Sequence, residues 1–528
     1  MSKKDHIATV MFNEFKIKFK EKVQQEISLQ KRRNTNTNFV PVLKDQGAKA
    51  ELDRIHNAYV LTNVDKASKN VGIICKRFYL KSVYEELYHT DPANQVYQLC
   101  DVNPEEIIRQ HHDFSRSIGM SYDDLENAND LPFIYFTPKF HKSPVKFRSI
   151  VASRSCSTKP LANAISKALQ KVRLDRKYWC ETLERYDGIN RYWIIDNNKP
   201  ILKCIDELNA TRSAKTVTTY DFSNLYTSLP HDEIFNNISQ IIKEVFKARR
   251  KKNKPCCLAV YRSRKTDEIW TRANWVKKPR KGTFYFTEDS LINAIRYQLD
   301  NTLFTFGGKV FKQKIGIPMG IDDGPEFANG NLHQLEYKYL NDLKKTNIYK
   351  ARKLGKSFRY IDDITNFNCN DQIIELAEEI YGNQVKLNKE NEGIHIANVL
   401  DLTIEIDPTE CTATTDLFDK RRAFSFNIVN FPDLSGCIPA QSAYGIIPSQ
   451  ILRYYNSCTK INDFKSNCHL LFLKVLTQSY KEDQVKNKIK SFCNKHLPQV
   501  TKYGCTRKDL LDKLISVIPS NTAVAGRP

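Results

Sequence analysis

Apolar positions change period several times along the chain, and each change marks an element. Up to about residue 60, Phe12, Phe15, Ile17 and Phe19 are set among Lys16, Lys18, Lys20 and Lys22, which predicts a basic helical arm, followed by a polar linker over 32–38. A compact segment begins near Tyr59, with a strand over 71–75 and helical stretches to about residue 128. Between 131 and 151 the period falls to two. Phe133-Ile134-Tyr135-Phe136 and the run 145–151 flank the turn-prone His141-Lys142-Ser143-Pro144, which predicts a hairpin with Lys146 and Arg148 on one face of its second strand. Such a face either meets an anion or is simply solvated.

The β-branched run Thr216-Val217-Thr218-Thr219-Tyr220 ends in Asp221, so a carboxylate stands at the carboxyl end of a strand. A turn through Leu229-Pro230 then leads into a helix carrying Ile234, Ile238, Ile241 and Ile242. The basic run 247–254 reads as a loop serving as a nuclear address, a nucleic-acid contact or a solvated insertion. Leu303-Phe304-Thr305-Phe306 and Lys309-Val310-Phe311-Lys312-Gln313 straddle Gly307-Gly308, a hairpin signal. Gly316-Ile317-Pro318-Met319-Gly320 follows, and Gly324-Pro325 opens a helix with Ala328, Leu332, Leu335 and Tyr339 on one side. Over 357–367, apolar residues flank Asp362-Asp363, predicting a hairpin whose tip presents two carboxylates. A strand over 399–406 follows, and the pattern is helical from about 445 onward.

Composition narrows the classes. The 528 residues are 41% hydrophobic and 27% charged, an ordinary globular balance that excludes disordered, collagenous and coiled-coil chains. No run approaches the ~18 apolar residues of a membrane span and the opening is Lys-rich rather than apolar, so the expectation is an intracellular protein with no membrane role. The 14 cysteines are scattered, with Cys256-Cys257 the only close pair, and indicate neither a zinc module nor a disulfide framework. Lys plus Arg is 82 against 60 Asp plus Glu, a net charge of +22, which favours a polyanionic partner, above all nucleic acid.

If the strands ending at Asp221 and at Asp362-Asp363 are neighbours in one sheet, three carboxylates converge. Like charges packed that closely repel unless a cation neutralises them, and hard oxygen ligands suit Mg²⁺. Two such ions, with Mn²⁺ as a possible substitute, support in-line phosphoryl transfer. Each feature alone is weak; their order along the chain is specific.

In that order the sequence resembles the reverse transcriptases, and more narrowly the Penelope-like retroelement branch, itself similar to telomerase reverse transcriptase. The matching segments are Asp65-Lys66 with Val71-Gly72-Ile73-Ile74, Thr137-Pro138-Lys139-Phe140-His141-Lys142, and Asp221-Phe222-Ser223-Asn224-Leu225-Tyr226-Thr227-Ser228-Leu229-Pro230. They continue through Gly316-Ile317-Pro318-Met319-Gly320, Tyr360-Ile361-Asp362-Asp363, Leu400-Asp401-Leu402-Thr403-Ile404 and Ile446-Ile447-Pro448-Ser449-Gln450 with Arg453. The resemblance implies an α+β right-hand polymerase with fingers, a palm built on an antiparallel sheet, a mainly helical thumb and a helical N-terminal extension. It implies metal ligands at Asp221, Asp362 and Asp363 and the backbone oxygen of Phe222. It places Lys139, Lys146 and Arg148 at the incoming triphosphate, Tyr226, Met319 and Gly320 near the nucleotide, and Leu400, Asp401 and Leu402 at the primer end. Lys386 or Lys389 is the implied proton donor to pyrophosphate.

The expected divisions are 1–128 for the basic arm and extension, 129–410 for fingers and palm, and 411–528 for thumb and tail. Ser149 departs from a usual proline, and Ile321-Asp322-Asp323 puts two carboxylates beside a phosphate-binding region, where they are expected to face solvent. About 25 residues follow Lys502, too few for the GIY-YIG endonuclease that many Penelope-like proteins carry. The activity so implied is RNA-directed DNA synthesis on an RNA template with a DNA primer and deoxynucleoside triphosphates, in a protein with access to the nucleus. The alternatives are an RNA-dependent RNA polymerase, which Tyr226 argues against because its ring would exclude a ribose 2′-hydroxyl, and a domesticated nucleic-acid-binding protein without turnover.

Overall fold

The computed structural model describes residues 46–88, 95–140, 142–262, 269–424, 426, 428, 430–436 and 438–519. The arm and linker expected before residue 46, and His141 of the expected turn, lie outside them. Among the described residues, those up to Thr182 together with Asn224–Tyr337 form one compact unit, and Leu183–Ser223 with the residues from Lys338 onward form another.

The first unit is built on a five-stranded sheet in the order Tyr97–Cys100, Lys309–Gln313, Leu303–Phe306, Phe133–Lys139, Lys146–Ala152. Both predicted hairpins are present in it. Gly307 and Gly308 close one of them with φ of +58° and +75°, the double positive that a two-residue type I′ turn requires. The buried sides of these strands, with Phe136, Val151, Phe304 and Phe311, meet Tyr79 and Val83 of the helix Lys76–Leu87. The hairpin of Tyr59–Val64 and Ala67–Cys75 lies alongside, where the Asp65 amide donates to the Pro138 carbonyl at 3.1 Å.

One sequence reading is corrected in this unit. The helix His231–Lys251 buries Ile234, Ile238, Ile241 and Ile242 as expected but runs on through Val245 and Phe246, so most of the run read as a basic loop is helical. The apolar period continues there, and Arg249, Arg250 and Lys251 favour the negative end of the helix dipole. The stretch beyond it forms a three-stranded antiparallel sheet in the order Trp270–Val276, Cys257–Arg262, Tyr285–Phe286.

The second unit holds a four-stranded antiparallel sheet in the order Ser357–Tyr360, Asp363–Phe367, Val217–Ser223, Lys386–Lys389. Beside it is a three-stranded sheet of Ile396–Val399, Leu402–Asp407 and Thr412–Leu417. The expected single strand over 399–406 is therefore broken. Leu400 takes a left-handed φ of +54°, and Leu400-Asp401 is a two-residue turn between paired Val399 and Leu402. Helices Ile446–Ser457, Ile461–Thr477, Glu482–His496 and Arg507–Ser516 follow, as the late helical pattern predicts, around Ile447, Ile451, Phe464, Phe472, Val485 and Ile489.

One glycine loop in the first unit has no tolerance for a side chain. Gly316 has φ of +87°, and a Cβ there would lie 2.2 Å from the Tyr226 carbonyl oxygen, which already accepts from the Ile317 amide at 2.7 Å and Gln313 Nε2 at 3.1 Å. Gly316→Ala is expected to cost about 2 kcal/mol or more, from strain plus disruption of these bonds. Urea unfolding measures it, and an unchanged midpoint would show that the loop is not pinned.

Candidate functional site

The strand Val217–Ser223 turns from apolar to acidic along one face. Val217 is buried against Phe367, whereas at the far end Asp221 pairs directly across to Asp363. Directly paired residues project to the same face of a sheet, so two carboxylates share one side at the sheet's end. Asp362 occupies the two-residue turn between Tyr360 and Asp363, and the Phe222 amide donates to its carbonyl over a long 3.4 Å. The predicted hairpin is thus present, with one carboxylate on the turn and the other heading the returning strand. The Phe222 ring lies on the opposite face, edge to face with Tyr381 at 4.9 Å, so only its backbone is available to the acidic face.

The electrostatics register this crowding. Burial, then Asp362, then Glu390 and Asp221 push the Asp363 carboxyl up to about 7, while Lys420 pulls the other way. Glu390 and Lys420 were not singled out in the sequence, and only proximity in the fold reveals them. The donor chemistry, hard oxygens held in mutual repulsion, fits a divalent cation such as Mg²⁺. Among the described residues no group of three or more His, Cys, Asp and Glu side chains is already set to hold a metal ion, so these carboxylates are gathered on one sheet end without being closed round a common point.

The turn is strained. Ile361 has φ of +57°, a region that costs a β-branched residue roughly 1–2 kcal/mol. Its carbonyl accepts from Arg359 Nη1 at 2.9 Å, and Arg359 is fully buried, with its backbone bonded on both sides to Trp193 and Ile195. An arginine in a short strand two residues before the strained turn is a signal that the sequence offered and hydrophobic periodicity passes over.

The strand Lys386–Lys389 separates the two implied proton donors. Asn388 stands opposite Asp221 and Lys386 opposite Ser223, so Lys386 shares the acidic face. Lys389 pairs with Tyr220 on the other face and is engaged by Asp371 at 2.8 Å. At the neighbouring turn, Asp401 accepts from Asn198 Nδ2 at 2.7 Å and Arg453 Nε at 2.8 Å, and its carbonyl accepts from the Phe418 amide at 2.9 Å. Leu400, Asp401 and Leu402 are therefore held as a fixed turn rather than an open ribbon.

The remaining sequence-derived residues lie in the first unit. Lys139 pairs with Lys146 and Thr137 with Arg148, which places Lys139, Lys146 and Arg148 on one face. Burial and then Arg148 lower the Lys139 ammonium. Asp65, quoted in the sequence only as part of a motif, lies 3.3 Å from Arg148 and is nearly buried. Tyr226 is half-buried in a one-turn helix whose backbone is tied to the Gly316 loop. The Met319 carbonyl accepts from the Val151 amide at 2.7 Å, and a Cβ on Gly320, at φ of +111°, would lie 2.3 Å from the Val151 oxygen. Asp322 and Asp323 do not face solvent as expected. Asp322 is bound by Lys159 at 2.5 Å and Asn163 at 2.8 Å. Asp323 is 0% exposed, neither carboxyl oxygen has a hydrogen-bond partner, and burial raises it far above the usual carboxylate range. Its carbonyl starts the helix Gly324–Thr346 by accepting from the Phe327 amide, which pulls the residue inward.

The chain has an α+β fold that matches the right-hand polymerase fold of telomerase reverse transcriptase. Among solved structures, telomerase from Candida albicans in complex with a TWJ fragment of telomeric RNA matches with a TM-score of 0.55 and 12% identity, over 88% of this chain and 72% of that one. Apo telomerase from Candida tropicalis matches at 14% identity and a TM-score of 0.46, over 88% of this chain and 73% of that one. No protein-family profile and no curated protein matches the chain. Among the described residues no helix is long and apolar enough to cross a membrane.

The strained turn carries its own test. Ile361→Gly removes the left-handed penalty along with the side chain, whereas Ile361→Ala removes the side chain and keeps most of the penalty. The glycine variant is expected to unfold in urea at a midpoint equal to or above wild type, and the alanine variant about 1 kcal/mol below it. The reverse order would show that the turn is relaxed.

Proposed function

We propose that the chain is an RNA-directed DNA polymerase of the Penelope-like retroelement type, extending a DNA primer on an RNA template. The observation that carries this reading is the cross-strand pair Asp221–Asp363 with Asp362 on the adjoining turn, in a fold shared with telomerase. In this reading the divisions 1–128, 129–410 and 411–528 serve as extension, fingers with palm, and thumb, and action on chromosomal DNA would require access to the nucleus.

Asp221, Asp362, Asp363 and the Phe222 carbonyl would hold Mg²⁺. When bound, two such ions lower the pKa of the primer hydroxyl and offset charge on the departing pyrophosphate. Lys139, Lys146 and Arg148 bind the triphosphate and orient it, their charges set on a stiff ribbon so that little order is lost on binding. Lys386, free of the Asp371 ion pair that occupies Lys389, supplies a proton from its Nζ to the leaving group. Tyr226 selects the sugar, because a 2′-hydroxyl pressed against its ring loses water without gaining a partner. Asp401, fixed by Asn198 and Arg453, presents the Leu400-Asp401-Leu402 turn to the primer end.

Primer extension on RNA and DNA templates, with Mg²⁺ or Mn²⁺, tests the reading. Asp362→Asn is expected to lower extension by at least ~10³-fold while primer–template affinity changes less than about two-fold, since metal charge is lost and little contact surface. Extension at the wild-type rate by that variant sinks the metal assignment.

Single-nucleotide insertion separates the polymerase classes. Tyr226→Ala is expected to raise ribonucleotide incorporation by ~10-fold or more relative to deoxynucleotide incorporation. A wild-type protein that prefers ribonucleotides is an RNA polymerase instead.

A further inference from the structure

The basic segment between the helix His231–Lys251 and Phe286 is not used by the polymerase reading. Over 247–286 the chain carries 14 Lys and Arg against 2 Asp and Glu, and 14 less 2 leaves +12 of the whole chain's +22 in 40 residues. Charge this concentrated is either balanced by neighbouring acids or presented to a partner. Arg249, Arg250 and Arg262 are balanced, by Asp175, Glu288 and Asp124. Lys251, Lys252 and Lys254 before the sheet, and Lys277, Lys278, Arg280 and Lys281 after its Trp270–Val276 strand, are exposed and have no ion pair among the described residues.

The sheet between these cations has one buried and one open face. Strand register puts Leu258, Val260, Ala273, Trp275 and Phe286 on the inner face. That face is docked: Trp275 meets Phe246 edge to face at 4.9 Å, and the Arg249 guanidinium lies 4.1 Å from the Trp275 ring. The same register sends Tyr261, Arg272, Asn274 and Tyr285 to the outer face, where the small Ala259 between Asn274 and Tyr285 is itself covered. Tyr285 is 40% exposed, and Arg272 is exposed and lies 5.4 Å from the Tyr261 ring centroid. A soluble sheet face with no partner is normally polar; this one offers two phenol rings and a guanidinium plane rimmed by unpaired cations.

We propose that this outer face is a binding platform for single-stranded nucleic acid, formed by Tyr261, Arg272 and Tyr285 and rimmed by Lys277, Lys278, Arg280 and Lys281. Rings and guanidinium stack on exposed bases, and the rim cations neutralise the phosphates on either side. Duplex DNA hides its base faces and has no use for the aromatic floor, so an unpaired strand fits better. The platform lies wholly in the first unit and would serve to retain template or product strand through turnover. It does not depend on the carboxylates being catalytic.

The test uses the full chain and a labelled oligouridylate of roughly 20 nucleotides, with the matching oligothymidylate as the DNA arm and inorganic polyphosphate as a charge-only control. Replacing Lys277, Lys278, Arg280 and Lys281 together by Gln is expected to weaken the oligouridylate at least ~10-fold at 0.15 M salt and to flatten the log K against log salt slope by about 2 to 3, at ~0.7 per lost phosphate contact. Tyr285→Ala is expected to weaken both oligonucleotides by about 10-fold and to leave polyphosphate unchanged. Circular dichroism melts of the exposed-site variants guard against loss of fold. Unchanged affinity and slope in the fourfold variant overturn the proposal. Equal losses for oligonucleotide and polyphosphate with a silent Tyr285→Ala overturn it too, reducing the patch to non-specific attraction of polyanions. The readout is binding, so absence of primer extension leaves this result standing.

Discussion

Pairing of Asp221 with Asp363 across two antiparallel strands is the constraint on which the acidic site rests. Antiparallel register leaves no choice of face, so once Ile364 pairs with Tyr220 and Thr365 with Thr219, the two carboxylates project together. Holding them there is unfavourable: burial first, then Asp362, with Asp221 a smaller cause, raises the Asp363 carboxyl. The favourable terms come from the other end of the same sheet, where Val217, Phe367 and their neighbours are buried with Ile201, Ile205 and Leu208. Apolar burial at one end of the strands thus holds charge repulsion at the other.

Both turns that frame this edge use the same device. Ile361 and Leu400 occupy left-handed backbone at the first position of two-residue turns, where glycine would be easier. Each is held by an arginine, one from the turn's own hairpin and one from a distant helix. Arg359 holds the Ile361 carbonyl, and Asp401 beside Leu400 is clamped by Arg453 and Asn198. Strain retained against these bonds fixes the direction of the turns, which a relaxed glycine turn would leave free. In the first unit fixity comes by the opposite route, with glycines at 316 and 320 admitting backbone contacts that any side chain would block.

The buried Asp323 shows how far a local reading misplaces a charge. Beside a glycine-rich loop an Asp-Asp pair looks solvent-facing, yet Asp322 is satisfied by Lys159 and Asn163, and Asp323 sits fully inside at the start of a helix. Burial raises its carboxyl far above the usual carboxylate range, since the charged form is the one that desolvation penalises. That placement of Asp323 is one that no sequence pattern carries.

Periodicity determined much of this molecule. The hairpins at 133–152 and 303–313, the acidic hairpin at 357–367, the helix after Pro230 and the late helical region are local patterns, and local patterns are written in consecutive residues. Residue type and order also determined the candidate carboxylates, since a strand that ends in an acid reads as such in isolation. The sheet of 257–286 escaped because Cys257–Arg262 and Trp270–Val276 show no clean alternation of apolar and polar residues, their pairing is bulged, and the third strand has only two residues. The approach of Glu390 and Lys420 to Asp363, the placement of Lys386 and Lys389 on opposite faces of their strand, and the clamp on Asp401 were decided by tertiary structure alone. Each depends on which strand lies beside which, and that pairing is set by burial of the whole sheet rather than by any neighbouring residue.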